Sequence, residues 1–381
     1  MTPRERVAAA LRHEIPDYVP IDIGGTANGF TIGTMAKLKE HFGIETEDEV
    51  FFPCEAGGHY NDALIEAMGG DFKHIFIHPS AKHKIVIEND IFYDEWGMKK
   101  KLVHGYAQQI ENPLRDAEIE ELDDYPFPDP YEPARVEGLR QRARDLYENT
   151  DYAISARAPT HGFMELGWEL RGMDNFLVDL LIDEDFANAL LDRIMEFQMG
   201  IYDAMLTEVG EYVQIVQTGD DYGTQNGPLI SPELFRKYVV PRRRKLNELI
   251  RKKAPHAYIS HHSCGSVAAF VDDLIDCGVD ILNPVQPLAR DMDPAGLKKR
   301  YGDRISFHGA IDEQQALIGP LEGLEEEMKN RILALAPGGG YILAPTSNFQ
   351  EDMPLENILN FVPLARKYGI PSFYQKAEKE E

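Results

Sequence analysis

A histidine and a cysteine two residues apart are the side chains in this sequence that first suggest chemistry. The stretch Ala257–Gly265 is typical of a short strand that runs into a glycine turn. Side chains alternate along a strand, so His262 and Cys264 share one face while His261 faces the other way. An imidazole and a thiol placed in this way form a two-point chelate for a soft divalent metal such as zinc. A zinc site needs three or four ligands, so a packed histidine beside a small buried cysteine stays open as the alternative.

The charge and cysteine content narrow the class of protein. The formal net charge is −26, which argues against nucleic acid and anionic membrane as partners. No apolar run approaches membrane-spanning length, and the charged N-terminal segment shows no signal-peptide core. Three cysteines cannot make a disulfide framework, which indicates a reducing compartment. We therefore expect a cytoplasmic protein with a small-molecule substrate.

The elements that must position the His262–Cys264 pair follow a regular rhythm. Short β runs begin near residues 18, 72, 152, 213, 257, 279, 304 and 341, with helical segments between them. Eight such runs predict a (β/α)₈ TIM barrel, an α/β fold, formed by one domain over residues 1–381. A doubly wound open sheet is the alternative. Its dinucleotide-binding version is disfavoured because no G-x-G-x-x-G follows a strand and opens a helix.

Residues 78–133 interrupt this rhythm. Two β-rich runs, Lys84–Glu88 and Lys99–Tyr106, flank the segment Tyr93–Gly97, a pattern that predicts a β-hairpin inserted after the second strand. The stretch from residue 111 to residue 133 is rich in Pro, Asp and Glu and predicts loops. Strands and helices of the same kind resume after it, so we interpret the whole segment as an insertion within the barrel domain.

Polar side chains collect where the predicted strands end. In a barrel of this type the active site lies at the C-terminal ends of the strands, so these side chains should meet there. The candidates for catalysis are Asp220, Asp221, Asn283 and His308. Aspartates after a strand often cap backbone N–H groups, and His308 could be a packed core histidine, so a structural role stays open for each. The candidates for substrate binding are Arg157, His161, Gln286, Asp312, Ser347 and Asn348.

Several stretches of the chain resemble the uroporphyrinogen decarboxylase superfamily. The resemblance covers nearly the whole chain and is strongest from Val213 onwards. It implies a (β/α)₈ barrel with its site at the strand ends. The stretches that carry it are Thr2–Val7, Gly227–Pro241, His261–Ser266, Asp280–Pro284, Ser306–Asp312, Gly338–Pro345 and Met353–Asn357.

Two branches of this superfamily differ in sequence. True uroporphyrinogen decarboxylases carry an arginine-rich segment near the N-terminus that grips the substrate carboxylates. The matching region here is Gly24–Gly29, and there is no arginine from Asp17 to Phe72. The chain is more similar to the corrinoid-dependent methyltransferases, whose H-x-C zinc ligands correspond to His262 and Cys264.

The third zinc ligand of that branch is a cysteine after the last strand. Thr346 or Ser347 occupies the position here, and a neutral hydroxyl is a poor zinc ligand. A third ligand would therefore have to come from elsewhere. The candidates are Asp220, Asp221, Glu165 and His308.

The resemblance implies a corrinoid-dependent methyltransferase with zinc activation. Such an enzyme would move a methyl group between a small thiol, methoxylated or methylated compound and the cobalt of a corrinoid (cobalamin) carried by a partner protein. One alternative is a metal-independent lyase on a small acid, with Asp220 and Asp221 as its acid–base pair. Another is a non-catalytic corrinoid or tetrapyrrole binder. A homodimer is one assembly that the sequence leaves open.

Overall fold

A curled parallel sheet surrounded by helices forms the body of the protein. The computed structural model describes residues 1–103 and 106–377. Its strands, in chain order, are β1 (Glu49–Val50), β2 (His59–Tyr60), β3 (Phe72–Phe76), β4 (Ile91–Tyr93), β5 (Lys99–Val103), β6 (Tyr106–Glu111), β7 (Ala153–Arg157), β8 (Ile215–Gly219), β9 (Gly223–Thr224), β10 (Gly227–Pro228), β11 (Tyr258–His262), β12 (Ile281–Val285), β13 (Ser306–Ile311) and β14 (Tyr341–Pro345).

The helices separate these strands and cover the outside of the sheet. In chain order they are α1 (Pro3–Leu11), α2 (Ile32–Phe42), α3 (Asp62–Met68), α4 (Glu121–Asp124), α5 (Leu139–Asn149), α6 (Phe163–Arg171), α7 (Met173–Ile182), α8 (Glu184–Val209), α9 (Pro232–Leu234), α10 (Val240–Lys253), α11 (Val271–Asp276), α12 (Pro294–Tyr301), α13 (Leu321–Leu335), α14 (Leu355–Tyr368) and α15 (Pro371–Ala377). Short 3₁₀ turns cover Pro133–Val136 and Ala268–Phe270, and a π-helical turn covers Phe235–Val239. Among the described helices, none is both long enough and apolar enough to cross a membrane.

Seven strands run parallel in the spatial order β14, β13, β12, β11, β8, β7, β3. Each neighbour in space is therefore the preceding or following strand of this sheet along the chain, as in a TIM barrel. The carboxyl ends of all seven strands lie at one end of the sheet, which we call the mouth. The alternative of a doubly wound sheet is disfavoured, because that topology reverses its strand order part-way across.

The first predicted strand, near residue 18, is the one that does not form. The segment contributes a single parallel bridge between Ile21 and Leu343 of β14. Its other side meets the start of β3, where the Asp71 N–H donates to the Ile21 carbonyl at 2.9 Å and the Asp71 carboxylate accepts the Ile21 N–H at 2.8 Å. Pro20 has no N–H to donate to a neighbouring strand, and the Ile21 N–H is taken by the Asp71 side chain instead of a strand carbonyl. The segment thus connects the two sheet edges without strand geometry.

The predicted hairpin between Lys84–Glu88 and Lys99–Tyr106 is wrong in its pairing. Strand β5 pairs instead with β4, and on its other side with β6, giving a three-stranded antiparallel sheet. The cause is the turn: the Asp94 carboxylate accepts the N–H groups of Trp96 and Met98, both at 3.0 Å, so the chain reverses directly after β4. His104 and Gly105, inside the predicted second strand, lie outside the described residues.

The inserted segment shares its hydrophobic core with the rest of the protein. Trp96, Met98 and Leu114 are buried in the same cluster as the helices around the sheet. The Trp96 ring packs edge-on against Phe197 of α8 at a centroid distance of 4.7 Å. The described part of the segment therefore packs on the same core as the sheet and its helices, and the single domain over residues 1–381 stays a prediction.

Candidate metal centre

Three potential metal ligands meet at the mouth, at the ends of two neighbouring strands. Strands β8 and β11 pair in parallel with Gly219 opposite His262. Asp221 follows Gly219 by two residues, and Cys264 follows His262 by two. Asp221 and Cys264 therefore lie at the same level beyond the ends of the two strands. The His262 Nε2 atom lies 3.4 Å from the Cys264 Sγ atom and 3.7 Å from Asp221 Oδ1. The three ligand atoms all lie within 4.8 Å of one another.

Backbone hydrogen bonds fix the two turns that carry these ligands. The Cys264 N–H donates to Asp221 Oδ1 at 2.7 Å, which ties one ligand to the other. The next N–H, that of Gly265, donates to the Gln286 side-chain oxygen at 2.7 Å. Gly265 has a φ of 77°, and a Cβ there would lie 2.7 Å from the Gly223 backbone. Glycine is therefore required for the two turns to pack together.

A chain of buried hydrogen bonds sets the orientation of the His262 ring. The Asn283 side-chain oxygen lies 2.6 Å from His262 Nδ1 and can only accept, so His262 carries its proton on Nδ1. The Nε2 lone pair then faces Asp221 and Cys264, as a metal ligand requires. The Asn283 amide group in turn donates to His308 Nδ1. Asn283 and His308, both predicted as catalytic, are thus joined to the metal ligand His262.

This hydrogen-bond chain ends on two residues that the sequence did not single out. Asp22 accepts from His308 Nε2 and from His74 Nε2, each at 2.9 Å. Asp22, His74 and His308 are all almost fully buried. Burial alone raises the pKa of Asp22, but the two imidazoles outweigh it and hold that pKa well below its usual range. The carboxylate therefore stays charged and accepts from both sides: from His262 through Asn283 and His308, and from His74 directly.

Asp220 and Asp221 are neighbours with different surroundings. Asp220 is fully buried and accepts the N–H groups of Met164 at 3.1 Å and Glu165 at 3.0 Å, in the first turn of α6. It acts as a cap for this helix. A Cβ at Gly162 would lie 2.2 Å from Asp220, so the approach needs glycine. Burial raises the pKa of Asp220 to about 7. The structure places Asp221 at the cluster and Asp220 beneath α6.

Three of the predicted substrate-binding residues line one cavity next to the cluster. Arg157, His161 and Asn348 surround a space of about 240 Å³ together with Thr26. The Arg157 guanidinium donates to the Thr26 hydroxyl, and both Arg157 and the His262 Cβ border the space that a side chain at Gly219 would occupy. Asn348 accepts the Gly29 N–H at 2.8 Å. Burial opposes a charge on His161, but Glu169 at 2.8 Å outweighs it and raises the pKa of His161 to about 9.

The other predicted substrate-binding residues have structural partners or lie apart. Gln286 supports the turn after Cys264, as described above. Asp312 accepts three backbone N–H groups, those of Gln314, Gln315 and Ala316, and so caps the loop after β13. Ser347 is partly exposed and does not belong to the three-ligand cluster. Substrate contacts by these residues stay predictions.

Of the candidates for the third ligand, Asp221 is the one that joins His262 and Cys264. Thr346, one of the two residues predicted at the position of the missing cysteine, donates instead to Glu313 at 3.0 Å. Glu165, another candidate, accepts the Gly162 N–H at 3.3 Å, and burial raises its pKa to about 8. The cluster therefore offers one carboxylate, one imidazole and one thiol, all three of which are zinc ligands in proteins.

Comparison with known proteins places the chain in a family. The sequence profile described as Uroporphyrinogen decarboxylase (URO-D) matches residues 86–368. The chain belongs to this family. Its curated relatives include a protein named Methylcobamide:CoM methyltransferase MtaA from Methanosarcina barkeri, 28% identical over 235 residues, which are 61% of this chain and 64% of the relative. A second protein of that name, from M. barkeri strain Fusaro, is 26% identical over the same shares.

A solved structure of the same fold comes from another species of Methanosarcina. It is titled a methyltransferase from Methanosarcina mazei, and it superimposes with a TM-score of 0.65 over 97% of this chain and 99% of that one, at 18% sequence identity. This agreement supports the TIM-barrel-like fold of the URO-D family. The chain spans 64% of the length of the curated relatives that it matches.

Proposed function

We propose that the protein is a corrinoid-dependent methyltransferase that holds zinc on Asp221, His262 and Cys264. It moves a methyl group between a small substrate and the cobalt of a corrinoid carried by a partner protein. The observation that carries this proposal is the three-ligand cluster at the mouth, with the His262 Nε2 lone pair directed into it. The names of the curated relatives and the family resemblance support the methyl-transfer chemistry.

The donor set suits a catalytic zinc site. Such sites use three protein ligands and leave a fourth position for substrate. Carboxylate, imidazole and thiolate groups, the three types present here, all bind zinc in proteins. Bound zinc would supply a Lewis acid that deprotonates a thiol or polarises a methylated heteroatom. Asn283 and His308 keep His262 in the tautomer that can ligate, and the Cys264 N–H keeps Asp221 Oδ1 at the cluster.

The surroundings of the cluster also bear on the two alternatives. A tetrapyrrole with many carboxylates needs several cations to bind it. In the cavity of about 240 Å³, the loop Gly24–Gly29 contributes Thr26, and among the described residues Arg157 is the arginine in its wall. A lyase with Asp220 and Asp221 as an acid–base pair needs both carboxylates at the substrate. Both carboxylate oxygens of Asp220 instead accept backbone N–H groups in the first turn of α6. Methyl transfer is therefore the function that we favour.

The test combines metal analysis with a cobalamin assay. The zinc-loaded chain is mixed with methylcobalamin and a panel of thiols, and separately with cob(I)alamin and a panel of methyl ethers. We expect a zinc-dependent change in the cobalamin spectrum for at least one compound. His262→Ala should abolish it, whereas His256→Ala, at an exposed position, should not. Full zinc occupancy without any cobalt-linked change would contradict the proposal, and chelator-insensitive release of CO₂ from a small acid would favour the lyase.

The remaining expectations concern the setting of this reaction. A separate corrinoid protein as partner, a cytoplasmic location and a homodimer are proposals. The free state of Cys54, Cys264 and Cys277 fits a reducing compartment. Copurification of the chain with a corrinoid protein from its own cells would support the partner, and measurement of the molar mass in solution would decide the assembly.

A further inference from the structure

The hydrogen-bond chain beneath the candidate metal centre ends on a carboxylate from the segment that does not form a strand. Asp22 follows Ile21, which bridges to Leu343 of β14. The Asp22 N–H donates to the Leu343 carbonyl oxygen at 2.9 Å, which fixes the backbone at this point. The Asp22 side chain is 1% exposed and accepts from His308 of β13 and from His74 of β3. The segment that joins the two sheet edges thus carries a charge into the buried interior.

The donor and acceptor roles along this chain follow from the carboxylate at its end. A carboxylate can only accept, so His308 must carry a proton on Nε2. In a neutral imidazole the other nitrogen, Nδ1, then holds a lone pair and must accept. The Asn283 amide therefore turns its NH₂ group to His308 and its oxygen to His262. His262 is left with its proton on Nδ1 and with its lone pair on Nε2, which faces Asp221 and Cys264.

The same side chains could form this chain in the opposite direction. The Asn283 amide would turn over, and each of the two imidazoles that flank it would move its proton to its other nitrogen. The proton of His262 would then lie on Nε2, and the ring could not bind a metal through that atom. What opposes this arrangement is the end of the chain, because the lone pair of His308 Nε2 would face a carboxylate oxygen at 2.9 Å. The direction of the chain thus depends on Asp22.

Two carboxylates act on this chain from its opposite ends. Asp221 Oδ1 lies 3.7 Å from His262 Nε2 and, in the metal-free protein, favours a proton on that nitrogen. Asp22 acts from the other end and favours the proton on Nδ1. Burial raises the pKa of Asp22, but His74 and His308 outweigh it and lower that pKa, so the carboxylate stays an acceptor near neutral pH. The chain beneath His262 is buried, so a lost partner there is not readily replaced by solvent.

We propose that Asp22 is a positioning residue of the metal centre, which sets the tautomer of His262 through His308 and Asn283. This inference rests on the zinc site of the proposed function, and it adds a residue that does not belong to the three-ligand cluster. His74 donates to the other carboxylate oxygen of Asp22 and lies outside the path to His262. A substitution at His74 should therefore leave the His262 tautomer unchanged, whereas a substitution that removes the acceptor at position 22 should reverse it.

Nitrogen NMR of the full metal-free chain with labelled histidine measures the tautomer directly. The chain has 12 histidines, and the His262 signals are those lost in His262→Gln. We expect a protonated Nδ1 and an unprotonated Nε2 for His262 in the unsubstituted chain and in His74→Phe. Asp22→Leu keeps a similar size but offers no acceptor, so the His262 proton should lie mainly on Nε2 in that variant. A His262 ring protonated on Nδ1 alone in Asp22→Leu would overturn the proposal.

Zinc affinity provides a second measurement with the same variants. Zinc binds His262 through Nε2, so a reversed chain must turn back before the metal is held. We expect the zinc affinity to fall at least about tenfold in Asp22→Leu and less than about twofold in His74→Phe. Each variant removes a hydrogen bond of the Asp22 carboxylate, so a merely structural role would weaken zinc binding in both alike. Equal zinc affinities in the two variants would overturn the proposal.

An isosteric pair of variants serves if Asp22→Leu does not fold. In the His74→Phe background, Asp22→Asn can turn either its oxygen or its NH₂ group to His308, so the Nε2–H tautomer of His262 should appear. Its absence would overturn the proposal.

The outcomes also separate this inference from the proposed function. An unsubstituted chain that binds no zinc would contradict the proposed function, while the tautomers of the metal-free variants would still decide the role of Asp22. A zinc-binding chain whose His262 tautomer does not respond to position 22 would leave the methyltransferase proposal standing and overturn this inference.

Discussion

The candidate metal centre and a second cavity, which we call the aromatic pocket, are built in different ways. The aromatic pocket is lined by Phe51, Phe52, Phe92, Trp96, Leu166 and Ile201, among others. The centre takes its ligands from two paired strands, and hydrogen bonds hold His262 and Asp221 in place. The pocket is formed by segments far apart in the chain, and apolar side chains and ion pairs both line it. The difference indicates that the metal ligands and the pocket wall are held by separate sets of contacts. Variants in one part should therefore leave the function of the other measurable.

Removing the thiol should have the largest effect on the centre. Cys264→Ser replaces a thiolate with a neutral hydroxyl, so we expect the zinc affinity to fall by about 100-fold or more. The free energy of unfolding of the metal-free protein should change by less than about 1 kcal/mol, since the substitution is nearly isosteric. Competition with a zinc-binding dye measures the first quantity and urea denaturation the second. Cys277→Ser, at a buried thiol 3.7 Å from the Val240 carbonyl oxygen, is the matched control.

The two neighbouring aspartates should separate zinc binding from stability. Asp221→Asn removes a charged ligand, and we expect the zinc affinity to fall about tenfold or more with little change in the free energy of unfolding. Asp220→Asn disturbs a helix cap, and we expect the free energy of unfolding to fall by about 1–2 kcal/mol. Urea denaturation of the metal-free proteins and zinc titration measure the two effects. A larger loss of zinc affinity in Asp220→Asn would reverse the assignment of roles.

Asn283→Ala should weaken the centre without touching a ligand. The variant removes the acceptor that holds His262 Nδ1–H, so the ring loses its fixed tautomer and orientation. We expect the zinc affinity to fall by about tenfold. A nitrogen NMR signal from labelled histidine should then report a mixture of tautomers. An unchanged single tautomer would show that other groups orient the ring.

The smallest effect should come from trimming the pocket. Phe52→Ala removes a ring that packs edge-on against His161 at a centroid distance of 5.8 Å. We expect the free energy of unfolding to fall by roughly 1 kcal/mol for the lost ring contact, with the zinc affinity unchanged. Urea denaturation measures the first quantity and zinc titration the second. Phe42→Ala, at a 37% exposed position on α2, is the control. A fall in zinc affinity in Phe52→Ala would show that the two parts are coupled.

The same contrast explains what could be predicted from the sequence. Seven of the eight expected strands form, because short apolar runs between helices carry a local signal. The segment near residue 18 has the same apolar character, but Pro20 and the Asp71 side chain interrupt its ladder. In the hairpin, the turn lies within the predicted segment Tyr93–Gly97, but the strand before it is Ile91–Tyr93, because the Asp94 turn follows that strand directly and leaves Lys84–Glu88 unpaired with β5.

The site was predictable to the extent that it is local. His262 and Cys264 are two residues apart, and Asp221 was among four candidates for a third ligand. Asp22 and His74 could not be found, since Asp22 meets His308 and His74 only in the folded sheet and neither residue belongs to a local motif. An acidic residue inside the apolar stretch Val19–Ile23 was the one available signal. The aromatic pocket depends on contacts between distant segments and left no pattern in the sequence.

Zinc K-edge X-ray absorption on the chain loaded with one equivalent of zinc is the most direct test of the central claim, that Asp221, His262 and Cys264 form a metal centre. The account predicts one sulfur at about 2.3 Å and nitrogen or oxygen neighbours at about 2.0–2.2 Å, with an imidazole pattern in the outer shells. The sulfur should vanish in Cys264→Ser and persist in Cys277→Ser. A zinc site without sulfur, or one unchanged by Cys264→Ser, would contradict it.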